Sequence, residues 1–91
     1  MNVSDPGPSG GVPSLEDLNA FERARQLLSA VVAAYSARIG VAGVAEAAAL
    51  RSLRAPLLAE QRTLDPRDRM RVDEIVTKFP ALLAQVREGE R

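Results

Sequence analysis

Asp65-Pro66-Arg67-Asp68 lies midway between two amphipathic runs and reads as the start of a helix. Asp65 can accept from the backbone N–H groups of the following turn, and Pro66 suits the first helical position, where its missing N–H is no loss. Asp68, three residues past the cap, can reach back as a capping-box carboxylate and suits the positive end of the helix dipole. A helix start here implies that the chain runs helix, sharp turn, helix.

Beyond this start, Val72, Phe79 and Val86 recur at intervals of seven, joined by Met70, Ile75, Val76, Leu82 and Leu83, with Pro80 interrupting the run. Before it, a second helix is predicted from after Gly43 to about Arg62. Leu50, Leu53, Leu57 and Leu64 form its stripe, and Leu58 broadens it. Pro56 deletes the bond to the Ser52 carbonyl, at roughly 3 kcal/mol if nothing compensates. Because the apolar register continues across Pro56, a kink is predicted there and not an end. Ala45, Ala47, Ala48 and Ala49 present small side chains that permit close backbone approach.

The first helix is predicted from about Ser14 to Ile39. Ser14 caps it, Glu16 and Asp17 occupy its first turn, and Gly40 is placed to end it in the left-handed conformation. Phe21, Leu28 and Tyr35 are seven apart, with Ala24 and Val31 between them and Val32 and Ile39 alongside. From Ala30 to Ala34 this helix is apolar nearly all round, which calls for burial on more than one side.

The fold class expected is all-α: a small three-helix antiparallel bundle over residues 14–88, with the second and third helices kinked at their prolines. Residues 1–13 hold three of the six prolines and three of the six glycines without apolar periodicity, so a disordered tail is expected there. Residues 89–91 are expected to fray. Ordering about 75 residues at ~1.5 kcal/mol each roughly cancels the burial available to so small a core. Oligomerisation is therefore expected to complete it, as a homodimer through Phe21, Leu28, Val31, Val32 and Tyr35. Leu57, Leu58, Phe79, Leu82 and Leu83 are expected to face a partner protein.

Composition narrows the chemistry. The 91 residues include no Cys and no His, which removes thiolate nucleophiles, Ser–His pairs and the usual zinc ligands. No catalytic residue, metal or cofactor is assigned. Twelve basic residues balance twelve acidic ones, so no overall field attracts nucleic acid or an anionic membrane. Eleven of the twelve basic residues are Arg, which together with fifteen Ala and eleven Leu reads as GC-rich codon usage. Arg51 and Arg54 are neighbours on one helix face and could contact an anion. The most apolar run leaves 12 residues between Arg25 and Arg38, short of the ~20 that cross a bilayer. No signal-peptide pattern opens the chain, and a soluble cytoplasmic protein is expected.

The function expected is a non-catalytic protein–protein interaction module, a small adaptor or accessory subunit acting through apolar helix faces. One alternative is a small helical DNA-binding regulator or antitoxin, since helices 2 and 3 join through a tight turn. A second rests on outline. A long helix ending in Arg38-Ile39-Gly40, followed by two further helices, is similar in length and order to the all-helical chorismate mutases. That resemblance implies a dicarboxylate substrate held by Arg25 and Arg38, with Gln85 as a loose counterpart of the family's helix 3 glutamine. The family's lysine after the glycine has no counterpart, because Val41, Ala42, Gly43 and Val44 follow.

Overall fold

A computed structural model of the chain describes residues 12–89, which form three α-helices: α1 (Leu15–Val41), α2 (Val44–Thr63) and α3 (Arg69–Glu88). The architecture is all-α. The expectations for a disordered 1–13 tail and a frayed 89–91 end lie almost wholly outside the described residues.

α1 begins as its sequence predicts. The Ser14 side chain accepts from the Asp17 N–H at 3.0 Å, and the Asp17 carboxylate accepts from the Ser14 N–H at 3.3 Å, a complete capping box. Its end differs from expectation. α1 continues through Gly40 to Val41, and the extended Ala42 closes it by donating to the Ile39 carbonyl at 3.3 Å. A glycine inside a helix costs only about 1 kcal/mol relative to Ala, so Gly40 weakens the last turn without ending it. Gly43, also extended, is the N-cap of α2.

The start of α3 also differs. Asp68, not Asp65, is its N-cap and accepts from the Arg71 N–H at 3.3 Å. Asp65 accepts locally instead, from the Arg67 N–H at 2.8 Å and from the Arg67 guanidinium at 3.0 and 2.9 Å. The Asp68 N–H closes a turn onto the Asp65 carbonyl at 3.0 Å, placing Pro66 second in a β-turn. Asp first and Pro second are favoured residues for such a turn, and a short Asx bond outcompetes the cap.

Both α2 and α3 pack on α1, and no Cα of α2 comes within 8 Å of one in α3. α1 is thus the shared spine. Its buried residues, Ala24, Leu28, Val31, Ala34 and Tyr35, meet Leu50 of α2 and Val72, Ile75, Phe79 and Val86 of α3. α3 buries four of its residues, whereas α2 buries only Ala47 and Leu50. Leu28, Val31, Val72 and Ile75 are completely buried.

Polar pairs record how α2 lies on α1. Arg38 bonds Glu46 at 3.1 Å, Arg54 bonds Ser36 at 2.9 Å, and Gln61 bonds Ser29 at 3.0 Å, so α1 numbers fall as α2 numbers rise. The stripe of α2 turned toward α1 is Ala47, Leu50, Arg54, Leu57 and Gln61, and Leu64 just past its end continues it. Leu53, expected in that stripe, is 56% exposed, and Arg54 takes its place. The helix assignment is continuous through Pro56 and Pro80, both exposed, where water can reach the carbonyls deprived of a partner.

Replacing a completely buried residue should therefore reduce stability in proportion to the volume removed. Ile75→Val is expected to cost about 1 kcal/mol and Leu28→Ala about 3 kcal/mol, whereas Leu53→Ala should stay within about 0.5 kcal/mol. Urea unfolding followed by circular dichroism checks the order.

Candidate binding seam between the first two helices

The expected self-association residues do not form one surface. Leu28, Val31 and Tyr35 are buried by the chain's own helices, and Phe21 packs against the same core. Only Val32 stands outside it. With α2 and α3 both seated on α1, these residues of its apolar stripe are covered within the chain. The residues expected to face a partner are also mostly engaged within the chain. Phe79 is a core residue, and Leu57, Leu82 and Leu83 pack against the core at its edge. Leu58 alone among those five is half-buried yet separate from the core cluster.

Val32 and Leu58 belong to the same place. On α1, Ser29, Val32 and Ser36 are spaced by three and four, one stripe of a helix. On α2, Arg54, Leu58 and Gln61 are spaced by four and three. Since Ser36 bonds Arg54 and Ser29 bonds Gln61, the register sets Val32 opposite Leu58 between those two polar pairs. The result is a seam with an apolar middle and a hydrogen-bonded pair at each end. Beside Ser29 and Gln61 lies a cleft of about 100 Å³ that Arg25 and Leu28 complete.

The charges around the seam are segregated. Both acids of α2 are committed to other helices: Glu46 to Arg38, and Glu60 to Arg71 through a two-pronged contact at 2.5 Å. Arg51, Arg54 and Arg62, by contrast, have no carboxylate of the described residues within 4 Å. With Leu58 they occupy positions 51, 54, 58 and 62, a single stripe along α2. The Arg54 side chain is half-buried, donates only to the Ser36 hydroxyl, and has a buried Nε without any acceptor. The expected pairing of Arg51 with Arg54 as an anion contact thus falls on this seam, with Arg51 exposed.

Arg23 of α1 and Arg87 of α3 are likewise without a carboxylate among the described residues, but both lie off α2, and the remaining described arginines are paired. Arg69 contacts Asp17 at 2.6 Å and Asp73 at 2.8 Å, tying the start of α3 to the start of α1. Arg71 adds Glu74 at 2.8 Å to Glu60 and lies over the Phe79 ring at 5.6 Å. Arg67 is held by Asp65. The start of α3 therefore offers no free cation to a phosphate backbone. Nor do Arg25 and Arg38 share a pocket: they pair with Glu22 and Glu46 and lie 13 residues, roughly 20 Å, apart along α1. Among the described residues no group of three metal-ligating side chains occurs, and no helix is long and apolar enough to cross a membrane.

No protein family matches this chain, and no curated protein or solved structure shows significant similarity to it.

These ion pairs make stability depend on acid. The Arg67 guanidinium and N–H hold the Asp65 carboxyl down at about 2, against an ordinary value near 4. Arg69, then the Ser14 N–H, lowers Asp17, and Arg71, then Lys78, lowers Glu74. A carboxylate held low when folded stabilises above its unfolded value and loses that contribution as pH falls through the folded one. The melting temperature should be level from pH 7 to about 5 and then fall toward pH 2. In Asp65→Asn the lowest part of that fall should flatten; a level profile from pH 5 to 2 in the native chain would contradict the pairing.

Proposed function

We propose that the chain is a non-catalytic interaction module that receives a helix of another protein along the α1/α2 seam. One observation carries this reading: Val32 and Leu58 are half-buried and separate from the core, and the Ser36–Arg54 and Ser29–Gln61 bonds set a register that puts them opposite one another. Such a shallow apolar strip with fixed polar ends suits an amphipathic helix laid into a groove, which anchors through residues at i, i+3, i+4 and i+7. In this reading the bundle runs up, down and up, with α2 and α3 bent at Pro56 and Pro80. The partner supplies to α2 the cover that α3 does not.

A second copy fits less well than a different protein. Of the five residues expected to pair two copies through α1, only Val32 is free of the core. Light scattering across a hundredfold range of concentration should return the single-chain mass of 9.8 kDa throughout. A concentration-independent dimer would return the interface to self-association.

The reading is tested by titrating the ¹⁵N-labelled full chain with a synthetic amphipathic helix of about five turns, Leu along one stripe and Gln elsewhere. Amide shifts centred on Val32 and Leu58, abolished in Leu58→Asp, support the seam. Shifts centred on Phe79 and Leu82, or none, overturn it.

A further inference from the structure

Resting on that reading, we infer that the partner is an acidic amphipathic helix, whose carboxylates meet Arg51, Arg54 and Arg62 while its apolar stripe covers Val32 and Leu58. The balanced net charge of the sequence conceals this selectivity. Glu46 and Glu60 are each bonded to an arginine of a neighbouring helix, so α2 keeps three guanidinium groups without a counter-charge among the described residues. These lie on one stripe, beside Val32 and Leu58, two apolar side chains of α1 and α2 that are partly buried yet separate from the core.

Arg54 sharpens the argument. Taking a guanidinium partly out of water is unfavourable unless it is paired, and paired burial normally means a carboxylate or several acceptors. Here the only acceptor among the described residues is the Ser36 hydroxyl, and Nε has none among them. A carboxylate arriving beside Arg54 would supply the missing charge, and Arg51 and Arg62, one turn before and two turns after, would hold further acids of the same helix. Acidic residues repeated at three- and four-residue intervals match that spacing, because both sides then repeat at the pitch of a helix.

A nucleic acid fits the same cations less well. Val32 and Leu58 offer no flat face for a base, and the described aromatic residues Phe21, Tyr35 and Phe79 belong to or pack against the core. An apolar floor between cations instead calls for an apolar stripe between acids.

The test repeats the ¹⁵N titration of the full chain with the same Leu-striped helix carrying Glu, Gln or Lys at its flanking positions. The Glu-flanked helix is expected to bind at least about tenfold more tightly than the Gln-flanked one, and the Lys-flanked one more weakly than either. Raising salt should narrow these differences. Arg51→Glu with Arg62→Glu, both at exposed positions and so compatible with folding, should reverse the order of the Glu and Lys helices. Equal binding of the three peptides at the seam leaves the docking reading intact and overturns the acidic partner. No binding by any of them overturns both. Tighter binding of a double-stranded DNA oligonucleotide than of the Glu-flanked helix, lost in the same double variant, overturns the acidic-helix partner in favour of nucleic acid.

Discussion

α1 is the one surface that α2 and α3 share, and the remaining organisation follows from that constraint. The residues that make it a spine are small or branched and repeat at helical spacing: Ala24, Leu28, Val31, Ala34 and Tyr35. Ala24 and Ala34 let a neighbouring backbone approach, while Leu28 and Val31 fill the space between helices. Because α2 and α3 do not close on each other, each depends on α1 for cover. The long side chains of Arg71 and Glu60 bridge the interval between them.

Unequal burial then separates the roles of the two outer helices. α3 places four apolar side chains in the core and anchors its start through Arg69 to the capping box of α1. α2 places two there and holds α1 elsewhere through hydroxyl and amide contacts. Exposed hydrogen bonds and ion pairs contribute little net stability, so α2, with fewer buried apolar residues, is the less firmly held element. The charges divide on the same line. The acids of α2 are drawn into pairs with other helices, and its arginines are left along the seam.

Much of the fold was legible from the sequence, and the departures have identifiable physical causes. Three helices, the Ser14 cap, and the α3 stripe through Val72, Ile75, Phe79 and Val86 follow from spacing alone. The start of α3 was misplaced because Asp65 can satisfy either a helix or a turn; the local bond to Arg67 takes it for the turn. On α2, leucine spacing favoured Leu53, yet the seat opposite Ser36 is filled by Arg54, whose polar head makes a cross-helix bond that hydrophobic counting cannot register. The site was least legible. Val32, Leu58, Arg51 and Arg54 were each singled out, but in three separate roles. Only the register of α2 on α1 brings them to one seam, and pairing distances alone reveal which arginines remain free.

Native-state hydrogen exchange of the full chain tests the central claim most directly, since it reads how firmly each helix is held. If α1 supplies the apolar cover of α2 and α3 adds only the Arg71–Glu60 pair, the amides of α2 should exchange measurably faster than those of α3, and those of central α1 slowest. Equal protection along α2 and α3 would contradict the claim and place α2 within one uniformly packed core.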